Sequence, residues 1–230
     1  MLDEVKITME EARDLVSDQT LWPLVRDFLW NFAPQVHKSW LDGLEVGKSV
    51  GLTEAQIADL SSTQAFKRFM LAQLGILPCF HAFPKGDWSR LLLIDGLTLE
   101  SIAKWLGALA CADELRRVTA GATVRELKST LAGVYPEVFG FTMYFKGMGV
   151  VAKSVRDHDA PVSGSGIVAV GTRLLSSLFE NVPEPIVSRL KFKFPKSLGG
   201  LFGETAPRMD ASFVIKLLKL KFPEAYKLCC

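Results

Sequence analysis

The sequence holds only three histidines and four cysteines among its 230 residues, and that scarcity narrows the chemistry open to it. Cys79 and His81 are the one place where a thiol and an imidazole lie close along the chain. A nucleophilic cysteine needs a base within hydrogen-bond reach and a third group to orient that base. Neighbours in sequence usually point apart and nothing else marks the site, so Cys79 reads as a buried structural thiol. The cysteines lack the paired spacing of a zinc site. Asp157-His158-Asp159 falls in a stretch rich in Pro, Ser and Gly. Three consecutive side chains there do not converge on a metal, and the group reads as solvated loop. No G-x-x-x-x-G-K-S/T phosphate loop occurs. The run Gly147 to Ala152 matches G-x-G-x-x-A, but an aromatic helix precedes it where that motif needs a strand. The acidic residue expected about 20 positions on falls within Val168 to Thr172, which holds none. The expectation is a chain without catalytic, cofactor-binding or metal-binding residues, and so not an enzyme.

Long apolar runs are also missing. The longest stretch free of charge, Phe69 to Pro84, contains Gln73, His81 and two prolines and is too short to span a bilayer as a helix. The opening MLDEVKITMEE has no basic segment followed by an apolar block, so a cytoplasmic location is expected. In that reducing setting the cysteines are not expected to form a disulfide framework. The terminal Cys229-Cys230 looks like a double-cysteine lipidation end. Such ends belong mostly to eukaryotic GTPases, whose nucleotide loop is absent here, and the pair reads as the end of a helix.

What the chain does have is apolar residues at 49% and a charge map that changes along its length. The net charge of +2 conceals an acidic start and a basic end. Residues 189–230 carry nine basic and three acidic side chains, a net of +6, which leaves −4 for residues 1–188. Two interaction surfaces of opposite sign follow. One is acidic, with Glu10, Glu11 and Asp14 at its centre. The other is basic, with Lys191, Lys193, Lys196, Lys216, Lys219 and Lys221.

Helical spacing dominates the rest. Leu24, Val25, Phe28, Leu29 and Phe32 recur at helical intervals after Pro23, and Pro34 closes that run. Thr53 with Gln56 reads as a capping box. Ser62 is placed to cap a helix through Ala65, Phe66, Phe69 and Met70 that stops at Gly75. Leu91 to Ile94 fits a buried strand or a helical turn equally well. Thr98 is placed to cap the clearest helix, with Leu99, Ile102, Ala103, Leu106, Leu109 and Ala110 on one face and Arg116-Arg117 at its end. Thr123 with Glu126 reads as a further capping box, and Pro136 as the start of an aromatic helix. Later helices are expected through Val170 to Leu178, from Pro185 through Leu190, and from Phe213 to Leu220. The alternating LKFKFP at 190–195 and LKLKFP at 218–223 also fit short strands. The expected fold is all-α, a compact irregular helical domain with any strands short and peripheral. The expected segments are 1–20 (acidic), 21–155 (helical core), 156–166 (linker) and 167–230 (helical and basic). Of the five tryptophans, at least three are expected in the core.

From Trp30 to Leu41 the chain reads WNFAPQVHKSWL. This is similar to an N-terminal signature of the SctK/YscK family, the sorting-platform accessory proteins of type III secretion systems. Trp30 stands at the signature's first aromatic, and Asn31, Phe32, Pro34, His37, Ser39, Trp40 and Leu41 match it. The stretch LLLIDGLTLESIAKWLGALACADELRR, from Leu91 to Arg117, resembles the family's central helix. The likeness covers about residues 28–145 and thins beyond Gly147. It implies a non-catalytic cytosolic adaptor, peripheral to the inner membrane through the secretion machine. The implied partners are the forkhead-associated-like cytosolic domain of the inner-membrane ring protein and the pod (C-ring) protein that carries stator and ATPase. Nucleic acid is not among them, and the membrane is reached only indirectly. The motif itself is expected to be structural: Trp30, Phe32, Trp40 and Leu41 buried, and His37 orienting a turn through backbone hydrogen bonds. Two other readings compete with the adaptor. One is a peripheral membrane protein using the basic C-terminal segment, and the other a small enzyme built around Cys79 and His81.

Overall fold

In a computed structural model, residues 9–14, 16, 19–41, 63–76, 83–84, 87–148, 162–203 and 208–229 are described. Among these residues every regular element is helical and there is no strand. In chain order the α-helices are α1 (Met9–Asp14), α2 (Trp22–Trp30), α3 (Lys38–Leu41), α4 (Gln64–Gln73), α5 (Gly96–Ala110), α6 (Ala112–Arg117) and α7 (Gly121–Thr130). They continue as α8 (Val138–Phe141), α9 (Gly164–Ser176), α10 (Glu184–Lys193), α11 (Lys196–Gly199), α12 (Ala211–Lys221) and α13 (Pro223–Cys229). Single 3-10 turns fill several of the gaps. The chain forms two units, each assembled from two stretches of sequence: Met1–Gly96 with Val182–Gly199, and Leu97–Asn181 with Gly200–Cys230. This division cuts the 21–155 and 167–230 segments read from composition.

In the first unit, α2 starts with Pro23 in its first turn, where a missing N–H costs nothing. It buries Val25, Phe28 and Leu29. Phe28 meets Phe32 and Phe83 edge-on, at centroid distances of 5.7 and 6.1 Å. Pro34 sits in a 3-10 turn, Ala33–Gln35, that carries the chain away from the helix. Of the two readings of Leu91 to Ile94, the helical turn is the one found: Leu91 to Leu93 end the 3-10 segment Asp87–Leu93, Ile94 follows it, and all four side chains are buried. Thr63 caps α4, its hydroxyl accepting from Phe66 N–H at 3.3 Å, and Gly75 ends the helix at φ +71°; Ser62, read as the cap, lies outside the described residues. Phe69, expected on its apolar face, is exposed. The capping box at Thr53 and Gln56 lies outside the described residues.

In the second unit, α5 buries Leu99, Ile102, Leu106 and Leu109. Each such side chain contributes roughly 1.5–3 kcal/mol relative to exposure. α5 crosses α9 at backbone contact. A Cβ on Gly107 would lie 1.9 Å from Ile167 O, and one on Gly171 would lie 1.8 Å from Ala103 O. Glycine at both positions is what lets the two helices approach so closely. Neither threonine cap is found. α5 begins two residues before Thr98, and α7 begins at Gly121 with Ala120 before it. The carboxylate of Glu126 instead accepts the N–H of Gly164, at 3.0 and 3.1 Å, across to the start of α9. There a negative charge suits the helix dipole. The 156–166 linker therefore gives its last three residues to a helix, with Ser163 capping it through Gly166 N–H at 3.1 Å.

The Lys/Phe alternation does not produce strands. Pro185 sits in the first turn of α10, which runs from Glu184 through Lys193. In α12, Leu218 is buried while Leu220 is exposed. A strand would place both on one face.

Candidate functional site

The motif residues converge on one turn in the first unit. His37 donates its backbone N–H to Phe192 O at 2.8 Å. Ser39 N–H donates to His37 Nδ1 at 3.2 Å, and Ser39 Oγ lies 2.9 Å from the same nitrogen. Nδ1 is therefore the unprotonated nitrogen, and the serine hydroxyl turns its hydrogen towards it. That leaves Ser39 Oγ free to accept Lys196 N–H at 2.9 Å. Trp40 Nε1–H donates to Phe194 O at 2.8 Å. The Trp40 ring meets Phe192 edge-on at 4.6 Å. The Lys191 and Lys196 ammoniums lie 5.7 and 5.9 Å from its centroid. A Cβ on Gly199 would come within 2.7 Å of the indole, so glycine is required there too. The His37 backbone and the Ser39 and Trp40 side chains thus fasten this turn to the end of α10 and the start of α11, more than 150 positions later in the chain.

His37 does orient the turn as expected. Phe32 is buried, but Trp30 and Trp40 are only half-buried. Trp30 packs at a tilt against Trp22 at 6.0 Å. Asn31 closes α2 through its N–H to Asp27 O, Pro34 is exposed in its turn, and Leu41 ends α3. Trp105 is the tryptophan that reaches the core, so the expectation of three is not met among the described side chains. An indole with a polar partner at one edge is held at a boundary rather than sunk in the core.

The basic surface also needs correction. Lys193 is 1% exposed. Its ammonium donates to Leu92 O at 2.7 Å and Ile94 O at 2.8 Å, and lies 5.1 Å from the Phe28 ring. Desolvation pulls its pKa from 10.5 down to about 7, while the charge of Asp95 pulls the other way. Four residues earlier, Arg189 is also buried. It donates to Phe28 O at 3.1 Å and Leu29 O at 3.0 Å, supplying donors to the last turn of α2, and to Pro185 O at 2.6 Å. The negative end of the α2 dipole favours that cation. Sequence reasoning missed Arg189, although a signal was present. Ile186, Arg189, Leu190, Lys193 and Phe194 follow the spacing of a core-facing helical stripe.

The other lysines are spread between the units. Lys191 is half-buried and Lys196 exposed in the first unit. In the second, Lys216 and Lys219 are exposed. Lys221 is half-buried, pairs with Glu137, and lies over Trp105 and Phe141 at 4.7 and 4.3 Å. On α1, Glu10 and Asp14 are exposed one helical turn apart, and the Glu11 side chain lies outside the described residues. So do Cys79, His81 and Asp157-His158-Asp159. Among the described residues no three His, Cys, Asp or Glu side chains come together as metal ligands, and no helix is long and apolar enough to cross a membrane. Cys229 is buried on α13. What the 37–41 turn offers chemically is fastening, and a half-buried indole flanked by two cations.

Comparison with known protein families, characterised proteins and solved structures finds no match.

Proposed function

We propose that the chain is a non-catalytic cytosolic adaptor of a bacterial type III secretion system, joining the inner-membrane ring protein to the pod protein of the sorting platform. The reading rests on the likeness of residues 30–41 and 91–117 to the SctK/YscK family. The observation that carries it furthest is that the matching residues act together: His37, Ser39 and Trp40 fasten one turn to the 192–199 segment. A motif with a shared structural task is a stronger likeness than the same letters scattered over a surface. Exposed charge of opposite sign at Glu10 and Asp14, and at Lys216 and Lys219, suits a protein with two partners.

The test is binding of the purified chain to the ring protein's cytosolic domain and, separately, to the pod protein. Binding to both supports the reading, and binding to neither removes it. Replacing Glu10, Glu11 and Asp14 together by lysine is expected to slow association with the ring domain, strongly at low salt and weakly at high salt, and to leave the pod protein unaffected.

A further inference from the structure

The second unit carries an exposed patch that the adaptor reading does not use. After α8 the chain makes a 3-10 turn, Thr142–Tyr144. Met143 and Tyr144, adjacent at its end, are 66% and 50% exposed. Two neighbouring large side chains are thus open to solvent at this turn. Beside it runs α12. Lys216 donates to Tyr144 O at 2.7 Å, and its ammonium lies 6.0 Å from the Tyr144 ring and 5.7 Å from that of Phe145. Phe213 stacks on Phe145 at 6.4 Å and ties the helix to the turn. One helical turn beyond Lys216, Leu220 is 42% exposed, and Lys219 beside it is exposed. Lys146, two residues after Tyr144, is exposed as well.

The patch joins exposed apolar side chains to three exposed lysines, so its charge is complementary to an anionic surface. A methionine and a tyrosine beside lysines suit a lipid interface. The apolar parts enter the headgroup boundary, the tyrosine hydroxyl stays wet, and the ammoniums reach anionic phosphates. Among the described residues Lys146, Lys216 and Lys219 have no carboxylate partner, whereas Lys221 is held by Glu137.

We infer that the turn at Met143 and Tyr144, with Lys146, Lys216 and Lys219, is a docking surface for an anionic lipid bilayer. It is independent of the adaptor reading, in which the membrane is reached only through protein partners. The test is flotation of the full chain with vesicles of phosphatidylcholine and phosphatidylserine, against phosphatidylcholine alone, at low and high salt. Binding is expected to require phosphatidylserine and to weaken with salt. Reversing Lys146 and Lys219 to glutamate is expected to lower it about tenfold or more. Met143→Ser with Tyr144→Ser is expected to lower it without changing its salt dependence. Both variants are expected to melt as the parent does, since the substituted side chains are exposed. Absence of phosphatidylserine-dependent flotation overturns the inference. So does flotation that neither folded variant alters, and so does loss of an acidic protein partner in the same variants when no vesicle binding was present.

Discussion

The two units hold their helices together by opposite means. In the second, α5 and α9 touch backbone to backbone through Gly107 and Gly171, and shape alone fixes their spacing. In the first, long cations do the joining: Arg189 and Lys193 extend from α10 to carbonyls of α2 and of the 3-10 segment before α5. Close contact between small residues tolerates no added atom. Buried cations tolerate distance, but they carry a desolvation cost and depend on every hydrogen bond being made. The first arrangement should fail by steric expansion and the second by lost donors or altered charge.

The largest effect is expected from Gly171→Ala. The added methyl meets the Ala103 carbonyl, which cannot rotate away, so the helices must separate. A loss of about 3–5 kcal/mol is expected in urea unfolding. A loss below about 1 kcal/mol would mean that the crossing is looser than described.

Lys193 gives the first unit a pH dependence that the second lacks at its crossing. Its folded pKa of about 7 lies below the ordinary 10.5. Between those values the unfolded chain keeps a proton that the folded chain has released, so the contribution to stability rises with pH across that window. Below it both states are protonated and the contribution is flat. The gain over the full window is about 3–5 kcal/mol. It should be read as the difference between parent and Lys193→Met, which removes the titrating group and keeps most of the volume. Parallel pH profiles for the two would refute it.

Arg189→Met should cost about 2–4 kcal/mol, because the Phe28 and Leu29 carbonyls lose a buried donor. Trp40→Phe keeps most of the ring contact with Phe192 but removes the bond to Phe194 O, and about 1–2 kcal/mol is expected. Thermal melting of both variants checks the order. If Trp40→Phe leaves the melting temperature unchanged, the indole does not fasten the turn.

Much of this comparison was legible in the sequence, and its failures have physical causes. The apolar spacing of α2, α5 and α10 survives folding because burial at that period sets helix position. The caps at Thr98 and Thr123 did not survive, since a helix can start a turn earlier where the preceding residues allow it. Glu126 then becomes available to cap a different helix. Leu91 to Ile94 could not be assigned by period, and burial of four consecutive residues shows why: no single wet face existed to read. Lys193 and Arg189 were legible as charge but not as core. Only tertiary contact brings carbonyls to them, although their place in the apolar stripe marked the side they face. The motif turn was legible as an orienting histidine, while its partner segment near residue 194 was not, because a backbone carbonyl leaves no mark in a sequence.

The proposed bridging of two partners is tested by mixing the chain with the ring protein's cytosolic domain and the pod protein and measuring the mass of the complexes by light scattering. A ternary complex that contains all three is expected, with no association of the other two when the chain is left out. Ring domain and pod protein that associate equally well without it, or a chain that stays alone in the mixture, would contradict the claim.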